Sequence, residues 1–176
     1  MPILIDILLL TAITLIPALE LRASIPVGIV FAERFGIDLN WFSVVLVCVI
    51  ANILLGWAVF WILGPTLRFF EHFDWFRKMI DPILLRTQRK IHPYVEKYGE
   101  IGVAVFIGIP LPGSGVYTGA LGAFVLGLDR KKFAIANVIG VLIAATVVTA
   151  IALAIAHGMD VPSWLEWIIK EPAAQH

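Results

Sequence analysis

Two short stretches of the chain carry groups whose types and spacing could bind or move something. The first is Glu20-Leu21-Arg22-Ala23-Ser24, an acid and a base two residues apart inside an apolar run. The second is Ile109-Pro110-Leu111-Pro112-Gly113-Ser114-Gly115-Val116-Tyr117-Thr118-Gly119, uncharged but rich in hydroxyls, proline and glycine. An Arg or acid exposed at mid-bilayer costs about 2.5–3.5 kcal/mol on insertion scales, so such residues face a cavity or pair with one another. Two readings of the first stretch stand side by side. In one, Glu20 and Arg22 are a buried ion pair that ties down an unwound turn. In the other, Arg22 docks an anionic group and Glu20 is a proton or cation site. In the second stretch Ser114, Tyr117 and Thr118 supply hydroxyls. Pro110, Pro112, Gly113 and Gly115 leave backbone N–H groups free where a new helix starts. A helix N-terminus presents partial positive charge and unpaired donors, which favours anions. Ser24 and Gly28 open the equivalent arm beside the first stretch. Two such N-termini face to face, with Arg22 added, would make a phosphate or carboxylate pocket.

The elements that must hold these groups are membrane elements. Of 176 residues 60% are apolar and only 15% charged, and the net charge is zero at pH 7. The mean hydropathy is +0.95. A soluble domain of this size could not bury so much apolar surface, and a neutral chain lacks the basic footprint of a nucleic-acid binder. Residues 39–63 and 133–156 are uncharged runs of 25 and 24 residues, each longer than the roughly 20 needed to span. Residues 2–36 and 101–128 are apolar but interrupted, the first by Pro17, Glu20, Arg22, Pro26 and Gly28, the second by its prolines and glycines. Proline removes a donor and clashes with the preceding turn, so neither runs as one straight helix. Their arms of about 10–16 residues reach roughly 15–24 Å as helix. We read each as a re-entrant hairpin whose irregular tip must be enclosed by protein or line a cavity. Two tilted, kinked full spans per region is the alternative. The start MPILIDILLL lacks the basic n-region of a cleavable signal.

Charge orients this plan. Residues 64–100 hold seven of the thirteen basic residues, and Asp129-Arg130-Lys131-Lys132 holds three more. Hairpins that return to their own side put all ten on one face, which the positive-inside rule makes cytoplasmic. Within 64–100, Phe69, Phe73, Phe76, Ile80 and Ile83 recur at helical spacing, suggesting interfacial helices bent near Pro82 and Pro93, with a partner-binding helix as the competing reading. Residues 160–176 suit a short outer-interface segment, with Ser163 and Glu166 at capping-box spacing beside Trp164 and Trp167.

Shifting the chain by 91 residues lays Ser24–Phe42 over Gly115–Phe133, with five identities in nineteen positions: Gly28/Gly119, Ala32/Ala123, Gly36/Gly127, Asp38/Asp129 and Phe42/Phe133. Each half reads as a hairpin plus one span, so the second copy enters from the opposite face. Inverted repeats of this kind place substrate near the midplane, between broken segments. The small residues four apart pack helices closely. Asn52 and Asn137 fit interhelical hydrogen bonding, and Cys48 a small buried apolar position. His72, His92, His157 and His176 show no metal-ligand spacing. Gly113-Ser114-Gly115 has no histidine or lysine base at comparable depth, so we expect no enzyme, no metal and no cofactor.

Glu20-Leu21-Arg22-Ala23-Ser24-Ile25-Pro26-Val27-Gly28 together with Ile109 through Leu121 resembles the small multidrug export protein family of prokaryotic membrane proteins, from about Pro17 to Ala156. In general plan the chain is similar, more distantly, to the DedA-like (VTT-domain) superfamily, whose arginine motif is absent around the second tip here. The resemblance implies an inner-membrane protein with paired re-entrant hairpins and an export or lipid-moving activity. The expectation is therefore an all-α, single-domain membrane transporter of amphipathic or anionic small molecules. Glu20, Arg22 and Ser24 line one side of its site and Ser114, Tyr117 and Thr118 the other, with Glu20 coupling to protons and a homodimer closing the thin wall. A flippase for an anionic lipid such as a polyprenyl phosphate, and a non-transporting membrane scaffold, are the alternatives.

Overall fold

The computed structural model describes residues 2–17, 19–70, 82, 85, 99–110 and 114–158. Most of the stretch 64–100, Pro112, Gly113 and all of 160–176 lie outside the described residues, and with them the interfacial helices expected there. The described residues form helices α1 (Pro2–Leu15), α2 (Glu20–Ile29), α3 (Ala32–Phe35), α4 (Trp41–Phe70), α5 (Glu100–Gly108), α6 (Val116–Val125) and α7 (Arg130–Ala156). No strand occurs among them.

The two long helices are α4 and α7, and each runs past its expected limits. Asn40 Oδ1 accepts from the Ser43 N–H at 2.9 Å, a cap that sets the start of α4. Its far end carries on through Gly64 and Pro65 to Phe70 instead of stopping at residue 63. Asp129 caps α7 by accepting from Lys131 N–H at 3.0 Å, so Arg130, Lys131 and Lys132 form the first turn and not a loop. The outer surfaces of both helices are apolar. Leu46, Ile50, Leu54 and Trp61 on α4, and Ile135, Ile139 and Leu142 on α7, are all exposed. Apolar faces this extensive on helices of this length fit a hydrocarbon surround and not water.

Both interrupted regions fold as helix, break, helix. Pro17 sits in the first break, where Glu20 N–H still reaches Ile16 O at 3.3 Å. Pro26 does not break the chain: it lies buried inside α2, which continues to Ile29. Each second arm leads into the same turn. Gly36 and Gly127 adopt left-handed φ of 66° and 70°. Ile37 N–H bonds to Ala32 O, and Leu128 N–H to Ala123 O, both at 2.9 Å. This is the Schellman closure, which needs a residue free to take positive φ. Three of the five repeated positions, Ala32/Ala123, Gly36/Gly127 and Asp38/Asp129, thus belong to a turn that each half makes. Phe42/Phe133 is different: Phe133 is buried and stacks on Phe60 at 4.3 Å, while Phe42 is exposed.

Packing fixes the directions. Phe60 meets Phe133, and Asn137 Nδ2–H donates to Ile53 O at 3.0 Å, so α4 and α7 are antiparallel. Asp6 Oδ2 on α1 accepts from Asp38 N–H at 3.2 Å, placing the outset of α1 beside that of α4. Lys132 Nζ lies 3.2 Å from Glu100 Oε2, placing the outset of α5 beside that of α7. The second arms cross over, α2 packing on α7 and α6 on α4. Close approach comes from missing side chains, as the small-residue spacing predicts. A Cβ on Gly28 would meet Val44 and Leu10, one on Gly119 would meet Ile107, and one on Gly140 would lie 2.7 Å from Ala104 O.

Candidate functional site at the two helix breaks

The two breaks touch, and side chains of the first complete the backbone of the second. A helix that stops at Gly108 leaves carbonyls without donors, and one that starts at Val116 leaves N–H groups without acceptors. Such orphans cost free energy when buried. Glu20 takes the N–H groups: Val116 N–H donates to Oε2 at 3.1 Å and Tyr117 N–H to Oε1 at 3.5 Å. Arg22 takes the carbonyls, donating from Nη2 to Ile107 O at 3.2 Å, to Ile109 O at 3.0 Å and to Ser114 O. One amine has two hydrogens, so these oxygens share them. Each charge therefore sits where the helix dipole wants it, the anion at the head of α6 and the cation at the tail of α5. The two also pair, Arg22 Nη1 to Glu20 Oε2 at 3.5 Å.

Burial makes the arrangement energetically serious. The Glu20 side chain is 3% exposed and that of Arg22 14%. Removing one partner of such a buried, hydrogen-bonded pair costs about 3–5 kcal/mol, because the other charge is stranded. Glu20 is also the one non-glycine residue with positive φ among those described, at 50°. Holding a side chain in that region costs roughly 1–3 kcal/mol and persists only where the surroundings demand it. Gly115 completes the seat. A Cβ there would collide with both Glu20 carboxylate oxygens and lie 2.6 Å from Arg22 Nη1.

The remaining residues singled out in the sequence fall into two groups. Ser114 and Tyr117 join the same contact. Ser114 Oγ donates to Ile109 O at 2.6 Å across the break, and Tyr117 Oη reaches back to Leu15 O, the tail of α1, at 2.6 Å. Ser24 instead faces inward between the arms of its own hairpin. Its Oγ lies 3.2 Å from Glu20 O and 2.7 Å from Thr14 Oγ1, which is itself 2.8 Å from Leu10 O. Pro110 is half-buried in the break, and Thr118 is half-buried on the first turn of α6. Thr14 and the carbonyls of Ile107 and Ile109 escaped the sequence reading. Thr14 carried a usable signal, as a hydroxyl one turn before the proline break, but backbone acceptors leave no mark in residue identity.

Of the two readings of Glu20 and Arg22, the ion pair is present, and the turn it ties down belongs mainly to the other hairpin. No curated protein and no solved structure matches the chain. A family described as "Putative small multi-drug export protein" matches residues 20–147, a span that begins at Glu20, just past the first break, and holds the second break, all of α4 and most of α7. The chain belongs to that family.

Proposed function

We propose that this protein is a small membrane exporter whose substrate passes between the two helix breaks, near the bilayer midplane. In this reading α1–α2 and α5–α6 are re-entrant hairpins that enter from opposite faces, and the two halves form an inverted repeat. Arm lengths support it. Helices of 14, 10, 9 and 10 residues extend about 21, 15, 14 and 15 Å, all short of the roughly 30 Å hydrocarbon core. The antiparallel course of α4 and α7 supports it too, as does the position of each hairpin's outset beside the long helix that follows it. The basic first turn of α7, with the basic residues of 64–100, marks the cytoplasmic face of the inner membrane.

One observation carries the reading: Glu20 and Arg22, the charges that lipid would reject, bind both ends of the opposite break. Such a contact is a seal between two compartments that can part on either side, as alternating access requires. Protonating Glu20 removes the negative charge that holds the head of α6 and the guanidinium of Arg22. This makes Glu20 the coupling group. The family's printed name suggests drug-like substrates, and exporters in general carry out no bond chemistry. Arg22 beside a helix head favours a second reading, movement of an anionic lipid.

The test is transport in proteoliposomes under an imposed pH gradient, with a cationic dye, an anionic dye and a fluorescent anionic lipid as cargoes. The wild type moves at least one cargo in response to the gradient, and Glu20→Gln still folds, at a midpoint lowered by the stranded Arg22, but loses that response. An unchanged response removes Glu20 from coupling. Lipid movement that Arg22→Ala abolishes, with no dye transport, establishes the lipid reading. No movement of any cargo removes the exporter reading.

A further inference from the structure

Two N–H donors at the head of a ten-residue helix, a guanidinium and a glycine without bulk make a seat shaped for a carboxylate. The chain fills it with its own Glu20. We propose that the Glu20 carboxylate stands in for the anionic group of the substrate. The seat formed by Val116 N–H, Tyr117 N–H, Gly115 and Arg22 takes a carboxylate or phosphate when Glu20 is protonated and moves off. The inference rests on the transport reading and names the substrate class of that site.

Two further observations point the same way, and neither concerns the helix head. Arg22 Nε is buried and has no partner among the described residues. Bidentate recognition of a carboxylate or phosphate by arginine uses a pair of parallel N–H bonds, so Arg22 keeps a donor in reserve. The second is Asn52, 2% exposed, whose Oδ1 also has no partner among the described residues. Gly28 lies against Val44, and the Ser24 hydroxyl beside the Cys48 thiol. One turn further along both helices, Glu20 falls level with Asn52. A neutral carboxylic acid must donate its O–H, and the head of α6 offers only donors. Asn52 Oδ1 is an acceptor in need of a donor at the right height, so it receives protonated Glu20.

Among the described residues, the charges facing Glu20 are few. Arg22 comes from its own helix and the Tyr117 phenol, turned to Leu15 O, from α6. Asp6 and Glu100 sit at the far ends of α1 and α5, held by Asp38 N–H and Lys132. By the register of Gly28 on Val44 and Ser24 on Cys48, α4 contributes uncharged Asn52 at this level and Cys48 a turn away. The proton rests on one carboxyl oxygen of Glu20 while the arriving anion replaces its negative charge, so the net charge between the breaks is unchanged. One proton then accompanies each monoanion.

The test is thermal unfolding of the purified full-length protein in detergent, titrated with sodium formate or inorganic phosphate against sodium chloride of equal ionic strength. In Glu20→Ala, formate or phosphate gives a saturable rise of about 4 °C or more over chloride. Wild type, whose own carboxylate holds the seat, shows no such rise at about pH 8 and gains it on acidification. Glu20→Ala combined with Arg22→Ala abolishes the rise. Asn52→Leu moves the wild-type response to lower pH, and Asn52→Gln restores it. Dodecyl phosphate acting well below the concentration of inorganic phosphate assigns the seat to a lipid headgroup, and equal potency assigns it to a soluble anion. A rise that survives loss of Arg22, or no rise in both Glu20→Ala and acidified wild type, overturns the proposal. Should Glu20→Ala fail to fold, acidified wild type with and without Arg22→Ala decides. An anion response without transport in vesicles removes the exporter reading and leaves the seat.

Discussion

Adding one methyl group at Gly115 tests whether the contact between the breaks holds the fold together. Gly115 has φ −135° and ψ −167°, extended backbone that alanine adopts without strain, so any cost of Gly115→Ala is steric. The new Cβ would occupy the space of the Glu20 carboxylate and press on Arg22 Nη1. Relief requires Glu20 to leave the N–H groups of Val116 and Tyr117. Hydrogen bonds to a charged group contribute about 1.5–3 kcal/mol each, and a stranded buried charge raises the bill to about 3–5 kcal/mol. For a domain of 150–250 residues each kcal/mol moves the midpoint by about 2–4 °C, so the expected fall is about 6–20 °C. The assay is a double-mutant cycle in one detergent at one scan rate, comparing Gly115→Ala in wild type with the same change in Glu20→Ala/Arg22→Ala. Without the pair the methyl group has room, so the cost should shrink to under about 1 kcal/mol. Equal cost in both backgrounds, or a fall of less than about 2 °C in wild type, would refute the reasoning.

Other substitutions separate packing from the contact itself. Gly140→Ala and Gly28→Ala should each lower the unfolding midpoint more than Gly64→Ala, because Gly140 faces the fixed carbonyl of Ala104 and Gly28 both γ-methyls of buried, β-branched Val44, while Gly64 lies 3.4 Å from the Phe124 ring. Gly36→Ala and Gly127→Ala meet nothing within 4 Å, so each should cost only about 1 kcal/mol through its positive φ, with transport unchanged. Thr14→Val should cost about 1 kcal/mol of stability by removing the hydroxyl that joins α1 to Ser24, read as a lower midpoint. Glu100→Gln should change the midpoint by less than about 1 kcal/mol, and any effect should vanish in high salt, since its bond to Lys132 is exposed.

What the sequence made legible follows from which physical signals are local. Charge-free runs locate α4 and α7 because length and apolarity suffice to span, though their ends depend on caps at Asn40 and Asp129. Pro17 marks a break, but Pro26 looks identical in sequence and lies inside α2, since losing one helix bond does not outweigh the packing of the buried residues around it. The repeat at an offset of 91 is real as local geometry in the Gly36 and Gly127 turns. It does not extend to Phe42, whose counterpart Phe133 is buried by Phe60. Glu20 and Arg22 stand out as charges in apolar sequence, and that alone suggested a pair. Their partners are backbone atoms 85 to 97 positions later in the chain, and nothing in residue type announces them.

The crossover of α2 onto α7 and α6 onto α4 has a bearing on how the protein is made. When Glu20 and Arg22 leave the ribosome, the backbone that will receive them has not been synthesised. At about 5–20 residues per second, the wait lasts roughly 4–20 s. Throughout that interval Glu20 and Arg22 have each other but none of the backbone partners they will bind, and α7, on which α2 packs, is the last of the described helices to emerge. On the re-entrant reading proposed above, the first hairpin waits near the translocation machinery or the interface, and closure of the membrane fold is a late event. On the proposed topology, a ribosome stalled before residue 107 would present a nascent chain with one span inserted and the contact between the breaks still unmade.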